Sequence, residues 1–175
     1  IGAANTLAFA AGRIEAHNTD AAGIIAALPR SPAGTRALVL GAGGSARAAV
    51  WALREEGARV SVWNRTAERA RALPGRAVAW PVRSLDGYDA VVNATSLGLH
   101  GEDPLDGVDL PAGLAVVDVI GIAEETPLIR RAKASGCVAV DGLLMLLHQG
   151  VRAFRLWTGL DAPLAAMRAA LPRSV

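Results

Sequence analysis

The chain has 175 residues, of which 52% are hydrophobic and 19% are charged. This balance is typical of one globular α/β domain of ordinary size and excludes a disordered protein. The net charge is only +2 and the arginines are dispersed, so nucleic-acid binding is not expected. No window approaches about 18 uninterrupted apolar residues, so we expect no membrane helix. Cys137 is the single cysteine, which excludes an internal disulfide and permits a reducing compartment; we expect a cytoplasmic protein.

The predicted elements begin with a β-hairpin over residues 7–14, with Ala11 and Gly12 at its turn. A helix follows, which Asn18-Thr19-Asp20 opens and which ends near Pro29. Beyond it, the predicted strands are 37–40, 59–63, 76–80, 90–93, 115–119 and 137–140, and the predicted helices are 45–56, 66–73, 126–135, 143–158 and 163–170. Because apolar strands alternate with helices, the sequence predicts an α/β fold: a Rossmann-like doubly wound parallel sheet of about six strands with helices on both faces.

A glycine turn follows the first strand of this sheet. Gly41-Ala42-Gly43-Gly44-Ser45 separates the strand from an alanine-rich helix. Gly41 permits a tight turn, Gly43 lets the backbone approach a pyrophosphate, and Ala46 allows close packing of the helix on the strand. The helix N-terminus offers N–H groups and a positive dipole end to the phosphates. Methyltransferases and flavin enzymes also use glycine turns, so this motif alone does not identify the ligand.

The end of the next strand narrows the choice of cofactor. An Asp or Glu at this place would hydrogen-bond the ribose 2′-OH of NAD, but the sequence has Asn64 and Arg65. Arg65, with Arg69 one turn further on, suits a 2′-phosphate, so NADP is the predicted cofactor. The alternative is that Arg65, Arg69 and Arg71 form a solvated helix face.

Three further groups of polar residues are candidates for the site. Asn93, Thr95 and Ser96 lie where the nicotinamide half of a dinucleotide is expected, or they form a polar turn in which Asn93 bonds its own backbone. Asp20 is either part of a helix cap or a carboxylate that faces the cleft and orients a substrate hydroxyl. Gln149 is an amide on a mostly apolar helix, and its hydrogen-bonding groups need partners if it is buried.

Several residues are predicted to pack in the core. They are Cys137, Met145, Leu146 and Leu147. The four tryptophans, Trp51, Trp63, Trp80 and Trp157, are predicted to be packing residues. The tryptophans are spread over separate elements, which argues against a stacking platform for bases. The three histidines share no metal-ligand spacing, so no metal is expected.

Taken together, these motifs resemble the shikimate dehydrogenase family, in the family's order from end to end. The matching blocks are Ile1-Gly2-Ala3-Ala4-Asn5-Thr6, His17-Asn18-Thr19-Asp20 with Gly23, Gly41-Ala42-Gly43-Gly44-Ser45, Asn64-Arg65-Thr66, Asn93-Ala94-Thr95-Ser96-Leu97-Gly98, Thr126-Pro127-Leu128, Asp141-Gly142 with Met145, and Gln149-Gly150 with Phe154-Arg155-Leu156-Trp157-Thr158-Gly159. Glutamyl-tRNA reductases are similar at the glycine turn and at Asn64-Arg65-Thr66. The blocks Asn5-Thr6, Asn18-Thr19-Asp20 and Met145 to Gln149 favour shikimate dehydrogenase instead.

The resemblance implies an NADP-dependent oxidoreductase acting on a CH–OH group, which reversibly reduces 3-dehydroshikimate to shikimate in aromatic amino-acid biosynthesis. It implies that Asn5, Asp20 and Gln149 bind the substrate and that Asp20 is also catalytic. The implied cofactor contacts are Gly41, Ala42, Gly43, Gly44 and Ser45 at the pyrophosphate, Asn64, Arg65, Thr66 and Arg69 at the adenosine 2′-phosphate, and Asn93, Thr95, Ser96, Val119, Gly142 and Met145 around the nicotinamide half.

The sequence departs from the family in two respects. The family usually has a tyrosine three residues after Asp118, where this chain has Gly121-Ile122-Ala123. The family's catalytic lysine lies in an N-terminal substrate domain, whereas the sole lysine of this chain, Lys133, follows Thr126-Pro127 far along the sequence. We therefore do not expect Lys133 to replace the family's lysine.

These departures set the expected organisation of the chain. Residues 1–17 are expected to be a remnant of the substrate domain, 18–160 the NADP-binding Rossmann domain, and 161–175 a C-terminal helix that packs on the missing domain. The chain is then expected to bind NADP without appreciable turnover, as a monomer or homodimer whose other ligand is a small-molecule substrate. The alternatives are a quinate/shikimate dehydrogenase with relaxed specificity and a non-catalytic NADP-binding module.

Overall fold

A computed structural model describes residues 1–10, 12–78 and 81–172 of the chain. Its elements in chain order are β1 (Thr6–Ala10), β2 (Arg13–His17), α1 (Asp20–Ala27), β3 (Arg36–Leu40), α2 (Gly44–Glu55), β4 (Arg59–Trp63), α3 (Ala67–Arg71), β5 (Arg76–Ala77), β6 (Ala90–Asn93), β7 (Ala115–Asp118), α4 (Pro127–Ala134), β8 (Val138–Val140), α5 (Gly142–Thr158) and α6 (Leu164–Ala169). The predicted strands and helices agree with these bounds to within a few residues. Residues 79 and 80 of the predicted strand 76–80 lie outside the described residues.

Six parallel strands form the main sheet in the order β5-β4-β3-β6-β7-β8. Numbered within the sheet, this is the strand order 3-2-1-4-5-6 of a doubly wound dinucleotide-binding fold. The order reverses at β3, because β4 lies on one side of it and β6 on the other. The predicted α/β fold with a parallel six-stranded sheet is confirmed, and its switch point lies at the end of β3.

The first two strands form a separate sheet. Within the part of the chain that the structure describes, β1 and β2 pair only with each other, antiparallel, with Thr6 opposite His17 and Ala10 opposite Arg13. The predicted hairpin is therefore confirmed, although its predicted turn residue Ala11 lies outside the described residues.

The main sheet separates two hydrophobic cores, because successive side chains of a strand point to opposite faces. On β3, Ala37 and Val39 pack in the core that α1, α2 and α5 cover. Leu38 and Leu40 pack in the other core, which α4 covers. Helices thus lie on both faces, as the doubly wound arrangement requires.

Helix ends follow the local sequence. Thr126 caps α4, because its Oγ1 accepts a hydrogen bond from the Ile129 N–H at 3.4 Å. Asp141 caps α5 by accepting from the Leu143 N–H at 3.1 Å. Gly159 ends α5 in the left-handed conformation, with φ of +70°. Thr126 lies in the loop after β7 and Asp141 directly follows β8, so both caps are on the side of the sheet where the parallel strands end.

Close packing of α1 on α5 depends on Gly23. A Cβ at Gly23 would lie 2.9 Å from the Met145 carbonyl oxygen and 3.0 Å from Gln149 Cβ. Glycine therefore lets the two helices approach until the Gln149 side chain lies beside the start of α1.

The predictions for the tryptophans are only partly correct. Trp63 is buried and packs as predicted, whereas Trp51 is 41% exposed and Trp157 is 61% exposed, so these two are covered over part of their surface. The Trp157 indole N–H donates to the Leu7 carbonyl at 2.8 Å, which ties α5 to β1. Trp80 lies outside the described residues.

The apolar run at the start of α5 is also only partly buried. Met145 and Leu147 are buried as predicted, whereas Leu146 is 44% exposed and its predicted core position is wrong. Cys137 is half-buried against the core that α4 covers, which confirms its predicted packing role. Among the described residues, no helix combines the length and apolarity needed to cross a membrane.

Candidate functional site

A cleft of about 360 Å³ opens at the switch point, between the carboxyl ends of β3, β4 and β6. Its lining combines the three predicted cofactor motifs: Gly41, Ala42, Gly43, Trp63, Asn64, Arg65, Ala94, Thr95, Ser96 and Leu97. Open α/β sheets bind their ligands at this place, outside the carboxyl ends of the strands that flank the reversal.

In the glycine turn after β3, Gly41 requires glycine, whereas Gly43 leaves open space beside the backbone. Gly41 has a φ of +111°, and a Cβ there would lie 2.6 Å from the Ala94 carbonyl oxygen. A Cβ at Gly43 would have no atom of the described residues within 4 Å, so the backbone before α2 is open on the cleft side. Ala46, in the first turn of α2, is fully buried against the core. The turn therefore brings the N-terminus of α2, with its N–H groups, to a space that a phosphate fits.

The end of β4 presents positive charge at the other wall of the cleft. Asn64 Nδ2 donates to the Thr66 carbonyl at 2.9 Å, which shapes the turn that carries Arg65. Arg65 and Arg69 are exposed. Arg71 is paired with Glu68 at 3.4 Å, so it belongs to the solvated face of α3. The structure thus separates Arg65, which lines the cleft, from Arg71, which does not.

Asn93 and Asp118 form a buried polar pair under the cleft. Both side chains are fully buried, and Asn93 Nδ2 donates to Asp118 Oδ1 at 3.0 Å. The same amide donates to the Leu97 carbonyl at 3.0 Å, and its Oδ1 accepts from the Thr95 N–H and hydroxyl at 3.1 and 2.7 Å. Asn93 therefore shapes the loop that lines the cleft, as the polar-turn interpretation describes. A contact between Asn93, Thr95 or Ser96 and a cofactor stays a prediction.

Asp118 extends this pair to the next loop. Its carboxylate accepts from the Thr126 hydroxyl at 2.7 Å and from the Ile120 N–H at 3.1 Å. Burial raises the pKa of Asp118, and the hydrogen bonds from Thr126, Ile120 and Asn93 offset only part of that increase. No site role is predicted from the sequence for Asp118 or Thr126. The sequence signal that could have identified them is a polar residue at the end of an apolar strand, for Asp118, and a threonine at the start of a helix, for Thr126.

The loop beyond Ser96 is closed by a second carboxylate. Glu102 accepts from the N–H groups of Gly98 at 3.2 Å and His100 at 3.1 Å. Hydrogen bonds from its own backbone N–H and from these two groups lower the pKa of Glu102. The loop that forms one wall of the cleft is therefore held at both ends by side-chain bonds.

On the other side of α2, Asn5 is the centre of a polar network. Its Oδ1 accepts from the Thr19 N–H at 2.8 Å, and its Nδ2 donates to Asp20 Oδ1 at 2.7 Å and to Thr19 Oγ1 at 3.0 Å. Gln149 Oε1 accepts from Thr19 Oγ1 at 3.1 Å and lies 3.5 Å from Asn5 Nδ2. The structure thus brings together Asn5, Asp20 and Gln149, the three predicted substrate residues.

Buried hydroxyls support this network. Thr19 is fully buried, and the Oγ1 atoms of Thr6 and Thr19 lie 3.2 Å apart. No place in the substrate site is predicted from the sequence for Thr6 or Thr19. Burial of a threonine beside an asparagine depends on how the hairpin packs against α1, which local sequence does not specify.

Asp20 is not needed as the cap of α1. Asn18 Oδ1 accepts from the Ala21 N–H at 3.1 Å and supplies that cap. The Asp20 carboxylate instead accepts from Asn5 through Oδ1 and from the Ser45 hydroxyl through Oδ2, at 3.2 Å. The arrangement agrees with the interpretation of Asp20 as a carboxylate of the site.

The remaining predicted cofactor residues are Val119, Gly142 and Met145. The Val119 N–H donates to the Asn93 carbonyl at 3.0 Å. A Cβ at Gly142 would overlap the carbonyl group of Ile120, so α5 begins in direct contact with the loop after β7. Met145 is buried in the core near α1. Contacts of Val119, Gly142 and Met145 with a cofactor stay predictions.

Lys133 does not reach Asp20. It lies on α4, whose Leu128 and Ala132 pack in the core on the opposite face of the sheet from α1. Its ammonium group pairs with the Glu125 carboxylate. The site that contains Asp20 is therefore built without the lysine of this chain.

The strand order and the glycine turn at the switch point define a dinucleotide-binding domain of the Rossmann class. The family model "Shikimate / quinate 5-dehydrogenase" matches residues 26–97, and the model "Shikimate 5'-dehydrogenase C-terminal domain" matches residues 142–171. The shikimate dehydrogenase (NADP(+)) of Halorubrum lacusprofundi is 45% identical, and the match covers 98% of this chain and 69% of that protein. The chain belongs to the shikimate dehydrogenase family, and it spans about two thirds of the length of such relatives.

Two solved structures show the same architecture. Shikimate 5-dehydrogenase of Thermus thermophilus, in complex with NADP(H) and shikimate, has a TM-score of 0.80 and 42% identity, covering 99% of this chain and 69% of that one. The ligand-free 5-ketofructose reductase of a Gluconobacter species has a TM-score of 0.85 and 36% identity, covering 96% of this chain and 67% of that one. The fold is thus similar to that of enzymes named for two different substrates.

Proposed function

We propose that this chain is the NADP-binding part of a shikimate dehydrogenase, which reversibly reduces 3-dehydroshikimate to shikimate. The observation that carries the proposal is the position of Arg65, which lines the cleft directly after β4, where a carboxylate would repel a 2′-phosphate. The network of Asn5, Asp20 and Gln149 supports the substrate class, because three converging polar groups suit a polyhydroxylated ring.

The roles of the residues follow from their places around the cleft. The backbone from Gly41 to Ser45 binds the pyrophosphate, and Arg65 with Arg69 binds the 2′-phosphate. When bound, the nicotinamide supplies or accepts the hydride. Asn5 and Gln149 bind the substrate, and Asp20 orients the hydroxyl or carbonyl oxygen that gains or loses the proton.

Calorimetry with NADP+ and NAD+ tests the cofactor assignment. A hydrogen-bonded contact between Arg65 and the extra phosphate is worth about 1.5–3 kcal/mol, so NADP+ is expected to bind roughly tenfold to a hundredfold more tightly. Equal or tighter binding of NAD+, or no binding of either dinucleotide, would overturn the proposal.

We also propose that the 175-residue chain binds NADP without appreciable turnover. The resemblance assigns catalysis to a lysine beside the substrate, and Lys133 is paired with Glu125 on the opposite face of the sheet from Asp20. The purified chain, mixed with NADPH and 3-dehydroshikimate, is expected to show no loss of NADPH absorbance above background. Turnover at the rate of a complete enzyme would contradict this.

A second candidate is a quinate/shikimate dehydrogenase with relaxed specificity. Gly121 favours this candidate, because the family usually has a tyrosine side chain at this place and glycine has none. Gly121 lies beside the start of α5, where a Cβ would be 3.7 Å from Leu146 Cδ2. Calorimetric titration of quinate and shikimate into the NADP+-saturated chain separates the candidates. Comparable affinity for both acids supports relaxed specificity, and binding of shikimate alone supports the first assignment.

A further inference from the structure

We propose that Ser45 is a positioning residue for Asp20, so that the turn which faces the phosphates also orients the carboxylate of the substrate site. The inference rests on the proposed function, because it concerns the residue to which that function gives the substrate hydroxyl. The resemblance placed Ser45 only at the pyrophosphate.

The Asp20 carboxylate is held by two donors that come from different parts of the chain. Asn5 Nδ2 donates to Oδ1 at 2.7 Å, and the Ser45 hydroxyl donates to Oδ2 at 3.2 Å. Asn5 precedes the hairpin, whereas Ser45 lies in α2. Rotation of the Asp20 side chain about χ1 would carry both carboxylate oxygens away from these donors, so the two bonds together hold one χ1 rotamer.

Ser45 does not use its hydroxyl to cap α2. The helix begins at Gly44 after the extended residue Gly43, and in the described residues no side chain caps it. Since the hydroxyl is not occupied by the local backbone, its bond to Asp20 is its observed role. Both Ser45 and Asp20 are half-buried, so water has restricted access to that bond.

The turn that carries Ser45 is itself firmly held. Ala46, Ala48 and Ala49 are fully buried in the core that α1 shares, and the Arg47 N–H donates to the Gly43 carbonyl at 2.9 Å. The N–H groups proposed to bind the pyrophosphate and the hydroxyl that orients Asp20 therefore belong to one rigid turn. The Ser45 side chain thus joins the two halves of the site.

The experiment measures the orientation of Asp20 in solution. Three-bond couplings from its backbone N and C′ to Cγ report the χ1 rotamer, and the side-chain amide signals of Asn5 report the opposite bond. The variants are Ser45→Ala, which removes the donor, and Ser45→Thr, which keeps it. Ser135→Ala, at the end of α4, is the matched serine-to-alanine control.

One rotamer of Asp20 is expected in the unchanged chain, in Ser45→Thr and in Ser135→Ala. In Ser45→Ala, we expect the Asp20 couplings to be averaged over several rotamers and the Asn5 side-chain amide signals to shift. The backbone signals of this variant should remain those of a folded protein. Unaltered couplings in Ser45→Ala, or averaging in Ser45→Thr equal to that in Ser45→Ala, would overturn the inference.

Addition of NADP+ to the same samples separates this inference from the proposed function. The backbone N–H signals of Gly43 and Gly44 are expected to shift in every variant, because the pyrophosphate binds the backbone. If they move in none, the proposed cofactor is wrong, while the couplings of the ligand-free chain still decide the role of Ser45.

Discussion

Asn93 and Asp118 stand opposite each other on β6 and β7, and Asn93 Nδ2 donates to Asp118 Oδ1 at 3.0 Å. The bond joins two strand ends at the edge of the sheet where the cleft opens. Through Asn93 it reaches the Thr95–Leu97 loop, and through Asp118 it reaches the cap of α4 at Thr126. Two loops that flank the proposed nicotinamide site are thereby held in one arrangement.

Replacement of Asp118 by alanine is expected to lower the free energy of unfolding by about 3 kcal/mol. The change leaves the Asn93 amide, the Ile120 N–H and the Thr126 hydroxyl without their buried acceptor. Urea unfolding measures the loss. Asp109→Ala removes an exposed carboxylate and is expected to change stability by no more than about 0.5 kcal/mol. Equal effects of the two variants would show that the buried pair contributes little.

The pH dependence of stability gives an independent test of Asp118. Burial raises the pKa of its carboxyl in the folded protein, so between the unfolded and folded pKa values only the folded chain holds the proton. The stability from this group is fully present below the unfolded pKa and is lost as pH rises through the folded pKa. The unfolding free energy of the unchanged chain minus that of Asp118→Asn should therefore increase on acidification through this interval. A difference that decreases there would contradict the raised pKa.

Replacement of Arg65 by alanine should weaken NADP+ binding roughly tenfold to a hundredfold and leave NAD+ binding unchanged, because only NADP+ carries the phosphate that Arg65 is proposed to bind. Calorimetry measures both affinities. Arg71→Ala is the matched control, since Arg71 is paired with Glu68 on the exposed face of α3. If the Arg71 variant loses as much NADP+ affinity as the Arg65 variant, general charge rather than a specific contact determines binding.

Replacement of Gly23 by alanine should destabilise the chain by about 1–3 kcal/mol, because the new Cβ would lie 2.9 Å from the Met145 carbonyl oxygen and 3.0 Å from Gln149 Cβ. The shift of α5 should also move Gln149 and alter its side-chain amide signals. Gly150→Ala, in the same helix, meets only the flexible end of Met167 at 3.2 Å and should stabilise by about 0.5–1 kcal/mol. Stabilisation by both changes would rule out a tight contact between α1 and α5.

The parts of the fold that depend on local chemistry could be predicted from the sequence. The β3 strand and the Gly41 turn follow from an apolar run and from a φ that only glycine adopts readily. The exposed positions of Trp51 and Trp157 could not be predicted in this way. Their apolar character favours burial, but whether a helix position faces a neighbour is set by the tertiary packing.

The candidate site shows the same division. Arg65 could be identified because its place directly after a strand specifies its position at the cleft. Asp118 could not be identified as the partner of Asn93, because their contact depends on the register of two strands. The bond between Ser45 and Asp20 likewise depends on how α1 packs against α2. Hydrogen bonds between residues that are distant in the sequence therefore could not be predicted from the spacing of motifs.

Among the described strands, the hairpin of β1 and β2 pairs with none of the main sheet. At the base of this hairpin lies Asn5, whose N–H donates to the His17 carbonyl at 3.0 Å. If the β1–β2 hairpin opened, the Asn5 amide would move away from Asp20 and Gln149. The glycine turn and the end of β4 would stay in place, since they belong to the parallel sheet. Loss of the hairpin is therefore expected to disturb the proposed substrate site and to leave the proposed nucleotide site in place.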